Sequence, residues 1–342
     1  MVTTHNRRIG PFSVPAIGLG CMNLSHAYGA PPSADSAERL LLSALDAGVT
    51  LFDTAALYGF GANETLLGRV LKSHRRKIVL CSKGGMAGVV FSDGMKRVID
   101  GRPAAIRRNC EDSLKRLQTD VIDVYYLHRW DRGGAVPIEE SVGEMARLMA
   151  EGKVRALGLS EVSAATLLRA HREHPIAAVQ TEYSLWTRNP EIAVLKACQD
   201  IGAAFVAFSP VARGFLSDAP PLPADFDAKD IRRSMPRFSP AHWPANLALQ
   251  QGAATLARQS GCSVAQLALA WLLSRGEHVL PIPGTTNPDH LRENIAAAGI
   301  TLTPATLQAL DALINTATVA GERYGAQSSG EVDTEVFGSA AT

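Results

Sequence analysis

Four polar residues, Asp53, Tyr58, Lys83 and His128, stand where a chain can run chemistry. Asp53 closes the apolar triplet LFD, and Tyr58 follows on the next loop. Lys83 closes VLCSK, and His128 closes VYYLH. A carboxylate, a phenol, an ammonium and an imidazole at neighbouring strand ends suit delivery of a hydride and a proton to a carbonyl. A free phenol ionises near ~10, too high for efficient proton exchange at neutral pH. An ammonium beside it lowers that value. Lys83 is expected to act on Tyr58 in this way, Asp53 to hold Lys83 charged and oriented, and His128 to donate a hydrogen bond to the carbonyl oxygen. A lone histidine at a strand end is ordinarily structural; four such residues at successive junctions carry more weight.

These residues need a frame that brings strand ends together. Short β-branched or apolar runs alternate with longer helical patterns, the rhythm of a parallel sheet built from βα units. Strands are expected near Ala16–Gly20, Thr50–Asp53, Ile78–Ser82, Val121–Leu127, Ala156–Leu159, Ala178–Thr181, Ala203–Phe208 and Val279–Ile282. Eight is the number that closes a (β/α)8 TIM barrel, whose active sites sit at the C-terminal ends of the strands. Helical spacing runs from Arg39 to Leu45, from Ile106 to Leu117 behind Pro103, and from Pro137 to Met149 with Gly152 as its stop; Asn189-Pro190 reads as a further helix start with Asn189 as its cap. Tyr125 and Tyr126 alternate on the fourth strand, so one ring faces the barrel interior and the other the helices. Two long loops, Gly84–Gly101 and Arg213–Pro244, follow strands and so lie on the active face. The second carries an exposed-looking aromatic cluster of Phe238, His242 and Trp243. Residues 1–325 read as one barrel domain, and 326–342 as a small, polar, loosely held tail.

Bulk properties exclude several classes. The 342 residues are 46% hydrophobic and 20% charged with a net charge of +1, so no bulk field draws the chain to nucleic acid or an anionic membrane. The five cysteines are odd in number and lack C-x-x-C spacing, which supports free thiols in a reducing cytoplasm over a disulfide framework or a zinc site. The N-terminal MVTTHNRRIGPF has no apolar core and does not read as a signal peptide. No uncharged apolar run reaches membrane-spanning length.

Seven segments, in order over nearly the whole chain, resemble the aldo-keto reductase superfamily: GLGCM (18–22), FDTAALYG (52–59), RRNCEDSLKRLQTDVIDVYYLH (107–128), GLSEVS (158–163), QTEYSLWTR (180–188), FSPVARGFLS (208–217) and IPGTTNPDHLREN (282–294). The layout is similar to bacterial members with the IPGT ending and to the potassium-channel β-subunit branch. The resemblance implies Asp53, Tyr58, Lys83 and His128 as a catalytic tetrad. It also implies an NADP(H) site without a Rossmann loop. Gly20, Cys21, Met22 and Asp53 would border that site. Gln180 would bind the nicotinamide carboxamide with Ser160 beside it, and Phe208 would stack on the ring. Ser209, Pro210, Arg213, Gly214 and Ser217 would pass the pyrophosphate. Gly284, Thr285, Thr286, His290, Glu293 and Asn294 would face the adenosine end. The chain departs from the family pattern at Glu161, where many members carry Asn. It departs again at His290, where several branches place Arg against the 2′-phosphate, and at Asn287, where others are basic. Thr285, Thr286 and the helix N-terminus can still hold phosphate, so NADPH is expected and NADH stays open. Arg292 reads equally as a phosphate contact and as a solvated helix residue.

The substrate reading is a small-molecule ketone or aldehyde, bulky cyclic ketones included, in a mostly apolar pocket. Its walls are expected from Tyr28, Met86–Phe91, Trp130 and the Phe215–Trp243 region, with Tyr58 and His128 at the reacting carbonyl and no metal. Two rivals remain: the same fold run as an alcohol, sugar or pyridoxal dehydrogenase, and a cofactor-sensing regulatory subunit. Monomer and homo-oligomer are both open.

Overall fold

A computed structural model of the protein describes residues 6–25, 27–92 and 94–338. All eight expected strands form: β1 (Leu19–Gly20), β2 (Leu51–Asp53), β3 (Val79–Gly84), β4 (Ile122–Leu127), β5 (Val154–Ser160), β6 (Ala178–Glu182), β7 (Ala204–Phe208) and β8 (Val279–Pro281). They are parallel and ordered sequentially in one sheet. The Gly18 and Gly20 N–H groups donate to Pro281 O (3.1 Å) and Pro283 O (3.3 Å), which joins the first strand to the last. The fold is therefore the (β/α)8 barrel. Its helices include α1 (Ala34–Asp46), α2 (Ala62–Leu71), α3 (Pro103–Leu117), α4 (Ile138–Ala150), α5 (Ala164–Glu173), α6 (Val194–Ile201), α7 (Trp243–Gln259), α8 (Val264–Leu273), α9 (Pro288–Ala296), α10 (Pro304–Leu313) and α11 (Ala326–Gly330).

Strand alternation divides the core in two. Leu51, Val79, Cys81, Val124, Tyr126, Ala178, Val206 and Leu280 fill the barrel, while Phe52, Leu80, Tyr125, Leu127 and Phe205 face the helices. Tyr126 and Tyr125 thus part company as the period of two requires. Tyr126 fits because its neighbour across the β4–β5 pair is Gly158. A Cβ on Gly158 would lie 2.3 Å from Tyr126 Cδ1. Gly158→Ala is therefore expected to destabilise the fold by ~1–3 kcal/mol through overpacking, read as a lower midpoint of thermal unfolding; an unchanged midpoint would mean that the ring has room to move. Ile9 and Val14, from the hairpin of Arg7–Ile9 and Phe12–Val14, join the inner core. Arg7 ties that hairpin to Leu273 O, Gly276 O and Val279 O.

Serine and threonine start several helices by accepting an N–H bond in the first turn: Ser33 for α1, Ser163 for α5, Thr303 for α10, and Ser263 for α8 in a reciprocal capping box with Gln266. One expected start fails. Asn189–Glu191 is a 3-10 turn, α6 begins only at Val194, and the Asn189 amide donates to Glu335 O instead of capping a helix.

Both long loops are more ordered than their composition suggests. Residues 84–101 contain an antiparallel hairpin, Met86–Phe91 against Gly94–Ile99. The aromatic cluster of the second loop is not exposed. Phe238 is buried and stacks on Trp243, and Phe215 stacks on Trp186 at 4.0 Å. Nor are the described residues of the tail loose. Asp333 accepts from the Ser163 N–H and hydroxyl, Glu335 accepts from Ala164 N, and the Asp333 N–H donates to Glu161 O. Two carboxylates thus sit at the positive N-terminus of α5, which supplies what composition did not show. Residues 339–342 lie outside the described set. Among the described residues all five cysteines are free, no helix is long and apolar enough to cross a membrane, and no cluster of His, Cys, Asp and Glu could hold a metal ion.

Candidate active site

Parallel register sets the four residues at one end of the barrel. Asp53 lies opposite Gly20 on β1 and Cys81 on β3, and Lys83 stands two residues beyond Cys81, opposite Tyr126. Tyr58 leaves a 3-10 turn whose Gly59, Phe60 and Gly61 all have positive φ. The fully buried Lys83 ammonium donates to Asp53 Oδ1 (2.5 Å), Thr54 O (2.8 Å) and the Tyr58 hydroxyl oxygen (3.1 Å). All three of its N–H bonds are placed, so the charge is buried with full satisfaction. Because Tyr58 accepts from Lys83, its own O–H hydrogen is left to face the cavity. Gln180 Nε2 holds the other Asp53 oxygen at 2.8 Å. His128 meets Tyr58 edge to face, with ring centroids 5.9 Å apart, and its Nδ1 is buried without a partner.

The electrostatics differ from the sequence expectation in one respect. Burial would lower the Lys83 value, but Asp53 and Tyr58 outweigh it and push it up to about 12. Tyr58 is not brought down. Burial raises it above the ordinary phenol value of 10.0, and the opposing attraction of Lys83 is offset in part by Asp53. Lys83 is already neutralised by Asp53, so it has less field to spend on the phenol. His128 is driven well below 6.5, first by burial and then by the positive charges of Arg129, Lys83 and Arg97. At neutral pH the site therefore holds a protonated phenol beside a neutral imidazole.

A cavity of about 830 Å³ opens above these residues. Its wall includes Asp53, Tyr58 and His128, and of the other expected residues Gly20, Met22, Tyr28, Met86, Ser160, Gln180, Phe208, Ser209, Pro210, Arg213, Gly214, Ser217, Gly284, Thr285, Thr286, His290, Glu293 and Asn294. The size lies in the range of ligand pockets. At one end Gly20 and Gly284 keep bare backbone close together: a Cβ on Gly20 would lie 2.7 Å from Ile282 O, and one on Gly284 would lie 2.8 Å from Gly20 O. Beside them begins α9, with Pro288 in its first turn and Asn287 as its cap. A helix N-terminus favours an anionic group. Amide and hydroxyl groups at one end, a flat ring at Phe208 and a helix N-terminus at the other fit an elongated nicotinamide dinucleotide.

Several expected residues lie off the cavity wall or have their polar groups engaged within the protein. Cys21 is buried in the core between sheet and helices, its thiol directed to Leu19 O at 3.7 Å, and it is not part of the wall. Trp130 is also absent from it: its indole N–H donates to Val136 O and its ring packs under Arg169. The Phe215–Trp243 region does line the cavity, through Ser217, Asp218, Ala219, Pro221, Ile231, Arg232, Ser234 and Met235, whereas Phe215, Phe238 and Trp243 themselves pack on one another. Only Met86 of Met86–Phe91 reaches the wall, while Val89, Val90 and Phe91 are exposed at the hairpin end. Arg213 borders the cavity, but its guanidinium is committed to Glu182 Oε2 at 2.5 Å. Asn287 is used in capping α9, and Arg292 is an exposed partner of Asp289.

Glu161 shows why its position departs from Asn without placing a charge in the cavity. Its backbone is left-handed, φ 58°, a conformation that Asn tolerates better than Glu. Its carboxylate accepts from Arg323 at 2.7 Å and from Glu182 N at 3.1 Å. Arg323 also reaches Glu182 Oε2 at 3.1 Å, which joins Glu161, Arg323, Glu182 and Arg213 into one buried ionic chain. Burial would raise Glu182, but Arg213, Arg323 and Arg237 hold it at about 2.

Sequence reasoning missed the contribution of residues beyond 320. Tyr324, Gly325, Ser328 and Glu331 line the cavity, and Glu331 meets Arg97 of the hairpin at 2.5 Å. Arg97 and Arg129 were missed as well. Arg129 carries a readable signal, since it follows His128 directly.

The aldo/keto reductase family profile matches residues 16–315. A probable aldo-keto reductase of Glycine max is 41% identical over 314 residues, 92% of this chain and 89% of that protein. Among solved structures, the glycerol dehydrogenase of Gluconobacter oxydans aligns with a TM-score of 0.83 at 28% identity, covering 98% of this chain and 99% of that one. An aldo/keto reductase of Klebsiella pneumoniae, solved with NADP and acetate, aligns with a TM-score of 0.70 at 29% identity, covering 94% and 99%. With a barrel whose strand ends gather Asp53, Tyr58, Lys83 and His128 around one cavity, the chain belongs to the aldo-keto reductase family of oxidoreductases.

Proposed function

We propose that this protein is an NADPH-dependent carbonyl reductase that converts a ketone or aldehyde to an alcohol, with Tyr58 as the proton donor. The observation that carries the proposal is the Tyr58 hydroxyl, held by Lys83 at 3.1 Å with its own hydrogen left for the cavity. The solved relative with NADP supports the choice of cofactor. The dinucleotide, when bound, supplies the hydride. Ser160 and Gln180 would hold its carboxamide end, Phe208 its ring face, and Thr285, Thr286 and the start of α9 its phosphates. Tyr58 gives its proton to the oxygen of the carbonyl as negative charge develops there. His128 donates a hydrogen bond to the same oxygen, and Lys83 steadies the phenolate that remains. Asp53 keeps Lys83 charged and aimed.

The dehydrogenase direction is the second reading, supported by the relative named as a glycerol dehydrogenase. It requires Tyr58 as a base, and a phenol raised above 10.0 is protonated at neutral pH, which favours reduction. The pH profile tests this. Tyr58 keeps its proton until the pH exceeds its raised value, so kcat for carbonyl reduction is expected to stay flat between about pH 6 and about pH 9 and to fall only at higher pH. His128, lowered well below 6.5, should give no inflection across neutrality. Alcohol oxidation should rise with pH instead. A bell centred near neutrality would remove Tyr58 as the acid in its present environment.

A further inference from the structure

Four arginines line the cavity: Arg97, Arg129, Arg213 and Arg232. Three have a carboxylate partner, in Glu331, Glu182 and Asp230 respectively. Arg129 meets none among the described residues. Its hydrogen bonds both leave from Nη1, to His128 O at 2.7 Å and to Ser160 Oγ at 3.3 Å. Those bonds fix the guanidinium, while its Nε and Nη2 N–H groups remain uncommitted. That edge is the fork which takes a carboxylate with two parallel hydrogen bonds.

Location says which anion it faces. Arg129 follows β4, whereas the residues that fit dinucleotide phosphates follow β7 and β8, and β8 lies four strands away in the sheet. The phosphates are therefore not its partner. It is the residue next to His128, and its positive charge is the strongest of those acting on that imidazole. Arg97 adds a second cation to the same side, tethered to Glu331.

We propose that the carbonyl compound reduced at this site carries a carboxylate, and that Arg129 holds it through the free Nε and Nη2 edge while the carbonyl faces Tyr58 and His128. The physiological substrate is then an aldehydo or keto acid. This inference rests on the reductase reading and names the substrate class of the same cavity.

Two matched pairs test it: 4-oxobutanoate and its methyl ester, and 4-formylbenzoate and its methyl ester, with wild type, Arg129→Met and Arg129→Lys. A charge-assisted bidentate contact corresponds to about a ten- to hundredfold preference in kcat/KM for the acid over the ester in wild type. That preference should vanish in Arg129→Met, chiefly through KM, and be partly kept in Arg129→Lys, which also serves if the methionine variant does not fold. An acid-to-ester ratio near one in wild type, or one that Arg129→Met leaves unchanged, overturns the inference while turnover of the esters leaves the reductase reading standing. If wild type reduces none of the four compounds, the inference is tested by binding. Calorimetry of 4-(hydroxymethyl)benzoate with the NADP+-loaded proteins then decides the anion site alone: binding to wild type but not to Arg129→Met supports it, and equal or absent binding in both overturns it.

Discussion

Tyr58→Phe is expected to lower kcat for carbonyl reduction by about 10²- to 10⁴-fold, the usual contribution of a positioned general acid. Phenylalanine fills the same volume, and Lys83 keeps two of its three partners, Asp53 and the Thr54 carbonyl. The fold and the affinity for the nicotinamide cofactor should therefore survive. Steady-state reduction and cofactor-induced fluorescence quenching, measured on the same preparations, separate the two effects. Comparable rates in both proteins would assign the proton to another group, and the buried, neutral His128 would be the first to examine.

Glu182→Gln should have the largest effect on stability of any change outside the tetrad. Glu182 is buried against Arg213 and Arg323, and its neutralisation strands the buried Arg213 and leaves Arg323 with Glu161 alone. Breaking a buried ion pair from one side costs about 3–5 kcal/mol. The sign in pH follows from the depressed value. A carboxyl held at about 2, against an ordinary 4.5, stabilises the fold fully above 4.5 and loses that contribution as the pH falls toward 2. Chemical denaturation should show wild type losing stability over that window and the variant losing less of it. A variant as stable as wild type at pH 7 would mean that the arginines find other partners.

That network marks the boundary of what could be read in the sequence. The eight strands were legible because β-branched runs alternate with helical periodicity, and the four polar residues because Asp53, Lys83 and His128 each close such a run and Tyr58 follows on the loop after Asp53. Of the residues that motif order implied for a cofactor, all except Cys21 border the cavity. What escaped depends on long-range charge. Glu161 follows β5 and Glu182 ends β6, yet their partner Arg323 comes from beyond α10, and no local pattern announces that pairing. The same holds for the tail, whose Asp333 and Glu335 look solvated until the start of α5 is seen beneath them. Trp130 misled because adjacency to His128 does not fix direction: its indole turns to Val136 O, while Arg129, one residue nearer, reaches the wall. The Tyr58 shift escaped for a related reason. Residue types give the sign of the Lys83 effect, but its size depends on burial and on how much of that charge Asp53 has already cancelled.

Hydride delivery with Tyr58 as proton donor is tested by following the hydride itself. Wild type and Tyr58→Phe are given NADPH deuterated at the transferring C4 position together with a reducible aldehyde, and the alcohol is analysed by mass spectrometry and NMR. Wild type is expected to give alcohol with one deuterium on the carbinol carbon, and the variant almost no alcohol in the same time. An alcohol without deuterium, or equal labelled yields from both proteins, would contradict it.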